Sequence, residues 1–84
     1  MKARSVSQII SKIGSPFLSL YKGDGYWYFV YDAIGVYETK SVMTMRLLDL
    51  DLDMWVEDGR DLVKRGDEMR IELIRDRRAA QESK

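Results

Sequence analysis

Three short patterns in the 84-residue chain have residue types and spacings that chemistry uses. Asp49-x-Asp51-x-Asp53 imitates the start of a calcium-binding loop. Such a loop needs a glycine at its sixth place for the sharp turn and a glutamate at its twelfth as bidentate ligand. Met54 and Arg60 stand there instead, so no metal is expected and these acids are assigned to helix capping and solubility. Gly23-Asp24-Gly25 resembles part of a phosphate cradle, but it joins two strand-like segments, so no helix N-terminus is aimed at an anion. Ser41 and Thr44 are hydroxyl nucleophiles in type, yet the chain has no histidine and no cysteine with which to build a dyad. Those absences also remove the commonest general base and the commonest metal ligand. The sequence therefore predicts no catalytic residue, no cofactor and no enzyme activity.

What remains is recognition. Asp53, Glu57 and Asp61 fall at i, i+4 and i+8 on a helical face, with Asp58 beside them. Like charges at that spacing weaken a helix slightly. This acidic ridge reads either as a solvated face with dipole-favoured acids or as a patch that steers a basic partner. The second candidate is aromatic. Tyr26 and Tyr28 share one side of a strand, and Tyr21 or Tyr37 is a candidate neighbour. Such a face can stack nucleic-acid bases or bury against protein. Base-stacking platforms also need cations, and Lys22 and Lys40 are few while Glu38 opposes them. Fourteen Lys and Arg balance fourteen Asp and Glu, which argues against a phosphate-backbone binder driven by bulk charge.

The elements that must carry these residues are legible. Tyr26-Trp27-Tyr28-Phe29-Val30-Tyr31 is an unbroken run of strand-favouring residues between Gly23-Asp24-Gly25 and Asp32-Ala33-Ile34-Gly35. Phe17 to Lys22 and Val36 to Thr44 flank it across short turns, which predicts an antiparallel meander with the aromatic strand in the centre. Alternation puts Trp27, Phe29 and Tyr31 on one side, and Trp27 and Phe29 are expected to face the helices. Tyr26 and Tyr28 then point outward with hydroxyls in water. Before the meander, Ser5 with Gln8 has capping-box spacing, and Val6, Ile9, Ile10 and Ile13 form one apolar stripe ended by Gly14 and Pro16. After it, Met45 to Leu50 has no clear type. Asp51 is a good N-cap, and Leu52, Trp55, Val56, Gly59, Leu62 and Val63 make the cleanest stripe in the chain. Gly59 within that stripe implies close approach of helix to sheet beneath Trp27 or Phe29. Lys64, Arg65 and Gly66 read as a helix end, with Asp67 opening an additional helix that frays from Arg77 onward. Met69, Ile71 and Leu73 also alternate with charged residues, so a short fourth strand competes with that helix.

The expected fold class is thus α+β: a short N-terminal helix, a three-stranded antiparallel meander, then one or two C-terminal helices packed on one sheet face. Residues 1–84 form a single small domain with a compact core of about 5–66. A chain of this size buries only about 60% of its unfolded surface, so its stability margin is thin. No apolar run approaches the length of a membrane span and no signal peptide is evident, so a cytoplasmic location is expected.

The order helix, three strands, helix resembles that of the double-stranded-RNA-binding domain. That family grips phosphates with lysines at the start of its final helix, where this chain has Asp51, Asp53, Glu57 and Asp58. Over residues 23–63 the chain is similar to short uncharacterised proteins carried by phages and prophages of Gram-negative bacteria. The likeness lies in Gly25-Tyr26-Trp27-Tyr28-Phe29-Val30-Tyr31-Asp32, Tyr37-Glu38-Thr39-x-Ser41-Val42, Met45-Arg46-Leu47 and Leu52-x-x-Trp55-Val56-x-x-Gly59. It implies a mobile-element accessory protein, a group that includes anti-CRISPR inhibitors of host defence, and it supplies no site residues. The leading functional expectation is a non-enzymatic protein-binding module, a phage-encoded inhibitor acting on a host protein by surface occlusion. Its contact residues would be Asp53, Glu57, Asp58, Asp61, Tyr26 and Tyr28. The alternative is a small nucleic-acid-binding or regulatory protein using the aromatic sheet face, and a homodimer through a sheet edge or face is a further option.

Overall fold

A computed structural model describes the backbone of residues 1–82 and the side chains of residues 1–76. Helix α1 spans Val6–Ile13 and is followed by strands β1 (Leu18–Lys22), β2 (Trp27–Ala33) and β3 (Val36–Val42). A short 3-10 turn at Leu47–Asp49 then leads into helix α2, Leu52–Glu82. The sheet order is β1-β2-β3, antiparallel throughout, with the aromatic strand in the centre. Both helices lie on one side of it, as the stripes require. No helix among the described residues is long and apolar enough to cross a membrane.

The start of α1 follows from local chemistry. The Ser5 hydroxyl accepts the Gln8 N–H, satisfying one orphan amide of the first turn. The Gln8 side chain answers one residue earlier than the capping-box pattern implies, accepting from the Arg4 N–H at 2.9 Å. Gly14 ends the helix at φ +79°, its N–H returning to the Ile10 carbonyl at 3.0 Å. Eight residues do not hold a helix alone in water, so α1 depends on its docking against α2 and β1. Ile9 is fully buried there.

The core sits between sheet and helices. Phe29, Tyr31, Leu18, Leu20, Val36 and Val42 come from the sheet and meet Leu52, Trp55, Val56 and Leu62 of α2. Trp55 is fully buried, with its ring centroid 6.2 Å from both Trp27 and Phe29 in edge-on arrangements. Each such side chain contributes at most about 1.5–3 kcal/mol by area. The two indole N–H groups fix the segment that the sequence left untyped. Trp55 donates to the Leu47 carbonyl at 3.0 Å and Trp27 to the Met45 carbonyl at 3.3 Å. Asp49 completes this connector by accepting from Arg46 N–H and the Thr44 hydroxyl.

Gly59 is buried where expected: a Cβ there would collide with the tip of Ile13 and lie 3.1 Å from Phe29. Gly66 is a correction. It does not cap a helix and Asp67 does not start another, because α2 continues unbroken through both. Helix also replaces the competing fourth strand at Met69–Leu73. Gly66 is instead buried against the flat of the Tyr31 ring, which removes the need to end the helix there. A helix of 31 residues spans about 46 Å against about 23 Å for a seven-residue strand, so α2 overruns the sheet and the molecule measures 54 Å along its longest axis. The main chain stays helical through Glu82, so the fraying expected from Arg77 onward does not appear in it; the side chains from Arg77 onward lie outside the described residues. At the other end, the Met1 carbonyl accepts the Leu52 N–H at 2.7 Å and Lys2 pairs with Asp51, tying the N-terminus to the start of α2.

Candidate interaction surfaces

With α1 and α2 on one side, the other side of the sheet carries Ser19 and Tyr21 from β1, Tyr28, Val30 and Asp32 from β2, and Tyr37, Thr39 and Ser41 from β3. The register places Tyr28 between Tyr21 and Ser41, and Val30 between Ser19 and Thr39. Ring centroids lie 5.7 Å apart for Tyr21–Tyr28 and 5.9 Å apart for Tyr26–Tyr28, so the three tyrosines form one continuous aromatic surface. The Tyr26 ring also lies over Gly23, which leaves no room for a Cβ in the β1–β2 turn. Tyr21 is half exposed, while Tyr26 and Tyr28 are partly buried against their neighbours. Tyr37 does not join them. It pairs with Asp32 near the opposite end of the strands, four residues from Ser41 and about 13 Å away along β3. Asp32 is the one charged strand residue on this face.

The acidic ridge is divided by the fold. Lys40 points from β3 to the helix side and reaches Asp58 at 3.4 Å and Asp61 at 3.6 Å. These two acids thereby hold strand to helix, a partly exposed contact worth up to about 1 kcal/mol per pair. Asp53 and Glu57 are exposed and make no ion pair among the described residues. The sequence treated all four as one surface because it could not show that Lys40 crosses to α2. Of the calcium-like acids, Asp49 serves the connector and Asp51 the N-terminus. Among the described residues no three potential metal ligands converge.

One polar cluster was invisible in the sequence. Tyr31 is buried, and its hydroxyl donates to Asp67 Oδ1 at 2.5 Å. Arg70 lies 3.9 Å from the same carboxylate and stacks over the Phe17 ring at 5.1 Å. Burial and then the hydrogen bond to Asp67 push the Tyr31 hydroxyl above the ordinary tyrosine value, with Arg70 pulling the other way. The folded pKa exceeds the unfolded one, so this stabilisation is fully present below about pH 10. It is lost as pH rises from there through the folded value. Urea midpoints measured at pH 8 and above pH 10 should therefore fall further in the native chain than in Tyr31→Phe. An equal fall in both would show that Tyr31 does not govern alkaline stability.

In comparisons with known proteins, no protein family, no curated protein and no solved structure matches the chain.

Proposed function

We propose that the protein is a non-enzymatic protein-binding module whose contact surface is the uncovered tyrosine face of the sheet. The observation that carries this reading is the continuous Tyr26–Tyr28–Tyr21 surface, on the side away from both helices and with no charged strand residue on it before Asp32. Tyrosines bury a large apolar area with little loss of side-chain freedom and keep a hydroxyl for hydrogen bonding, which is why they dominate the energetics of many interfaces. Asp53 and Glu57 add a negative field that speeds the approach of a basic partner without supplying most of the affinity. The partner in this proposal is a host protein, inhibited by occlusion of its surface, as a phage or prophage origin would imply. Nucleic acid is the weaker reading, because the cations it needs are not on this face. Lys40 is held by Asp58 and Asp61 on the helix side, and alternation directs Lys22 to that side as well.

Capture from bacterial lysate, quantified by mass spectrometry, tests the proposal. The double variant Tyr21→Ser/Tyr28→Ser should lose its specific partner by about tenfold or more. Asp53→Lys/Glu57→Lys should chiefly slow association and change its salt dependence. Undiminished capture by the tyrosine variant would reject the proposal. Micromolar binding of a labelled single-stranded oligonucleotide that falls steeply with salt would favour the nucleic-acid reading instead.

A further inference from the structure

Helix α2 passes the sheet at the end where β2 turns into β3, and a cleft of about 290 Å³ opens there. Phe17, Ala33, Ile34, Leu73, Ile74 and Arg70 line it. Turn and helix meet closely beside it, since Gly35 has φ +82° and a Cβ there would collide with the tip of Leu73. Five of the lining residues are apolar, and Arg70 supplies the single charge among those described. That cation has hydrogen-bonding capacity to spare. Its guanidinium lies 5.1 Å from the centre of the Phe17 ring, itself a wall of the cleft. Its Nε–H is buried and has no acceptor among the described residues. Asp67 is its ion-pair partner, but at 3.9 Å the contact is longer than a hydrogen bond, and the same oxygen already accepts the Tyr31 hydroxyl. Asp67 also lines the adjoining depression beside Gly14 and Pro16 rather than this cleft, so no acid stands on the cleft walls.

We propose that this cleft binds a small carboxylic acid in its anionic form. The carboxylate would take the terminal nitrogens of Arg70, and a short apolar body would lie against Phe17, Ala33, Leu73 and Ile74. A partly desolvated guanidinium without a hydrogen-bonded anion, set among apolar walls, holds a carboxylate more strongly than one surrounded by water. An alcohol of the same length would leave that charge unanswered, and an amine would be repelled by it. At about 290 Å³ the cleft sits at the small end of ligand sites, which run from about 300 to 1,000 Å³. A short chain therefore fits and a long lipid tail does not. The cleft shares no residue with Tyr21, Tyr26 and Tyr28, so the cleft and the tyrosine face can each fail without the other.

The test is an NMR titration of the full chain at neutral pH with hexanoate, 1-hexanol and hexylammonium. Hexanoate should give saturable amide shifts centred on Phe17, Ala33, Ile34, Leu73 and Ile74. It should bind about tenfold or more tighter than hexanol, the factor that a charge-assisted hydrogen bond supplies, and hexylammonium should not bind. In Arg70→Gln the preference for hexanoate over hexanol should vanish. Ile74→Glu alters an exposed position and places a carboxylate four residues after Arg70, within its reach on the helix surface. It should abolish hexanoate binding while the chain stays folded. The proposal is overturned if the native chain binds hexanoate and hexanol equally, or shows no saturable shifts. Shifts centred outside the cleft, or undiminished hexanoate binding by Arg70→Gln or Ile74→Glu, would overturn it equally.

Discussion

Trp55→Ala lowers the free energy of unfolding by about 3–5 kcal/mol, the range for removing a fully buried large aromatic. Three separate losses combine at this position. The cavity opens in the middle of the core, because the ring is fully buried and meets both Trp27 and Phe29 edge-on. The Leu47 carbonyl loses the indole donor that fixes the connector. Trp27, which is only partly buried, loses the partner that orders it. A chain of this size lies toward the low end of the roughly 5–15 kcal/mol available to small domains, so the urea midpoint should fall by about a third or more at constant slope. A loss below about 1 kcal/mol would mean that Trp55 is not the roof of this sheet.

Gly66→Ala separates two accounts of the same glycine. In an open helix interior, alanine would stabilise by about 0.8–1 kcal/mol. Here the new Cβ would stand 2.5–2.6 Å from several atoms of the Tyr31 ring. That ring cannot easily yield, since it is fully buried and tied through its hydroxyl to Asp67. Overpacking of this kind costs about 1–3 kcal/mol, enough to reverse the sign of the propensity gain. Thermal or urea unfolding reads the sign directly. A variant more stable than the native chain would show that α2 does not press on Tyr31.

Local signals in the sequence carried far. The aromatic run, the turn residues, the Ser5 and Gly14 caps and the stripe from Leu52 to Val63 are each read from neighbours within about seven residues, and they place all three strands and both helices. The division of Trp27 and Phe29 from Tyr26 and Tyr28 follows from the period of a strand, and the side each pair takes follows from the tyrosine hydroxyls, which can reach water. What escaped detection depends on residues distant in the chain. Gly66 beside Asp67 has the composition of a helix end followed by a new start, and its true partner, Tyr31, lies 35 positions earlier. Lys40 and the Asp58–Asp61 pair meet only once α2 lies across β3, so nothing local revealed that half of the acidic ridge is engaged. The connector from Met45 to Leu50 lacks a periodic pattern because its main chain is held by two indole N–H groups rather than by its own side chains.

The reading rests on a sheet sealed on one side by Trp55 and offered on the other through tyrosine. Hydroxyl-radical footprinting of the captured complex against the free chain measures this most directly, since both faces carry reactive rings. Tyr21, Tyr26 and Tyr28 should be oxidised in the free protein and protected in the complex, with Trp55 inert in both states. Tyrosine oxidation unchanged by the partner, or Trp55 labelled in the free folded protein, would contradict it.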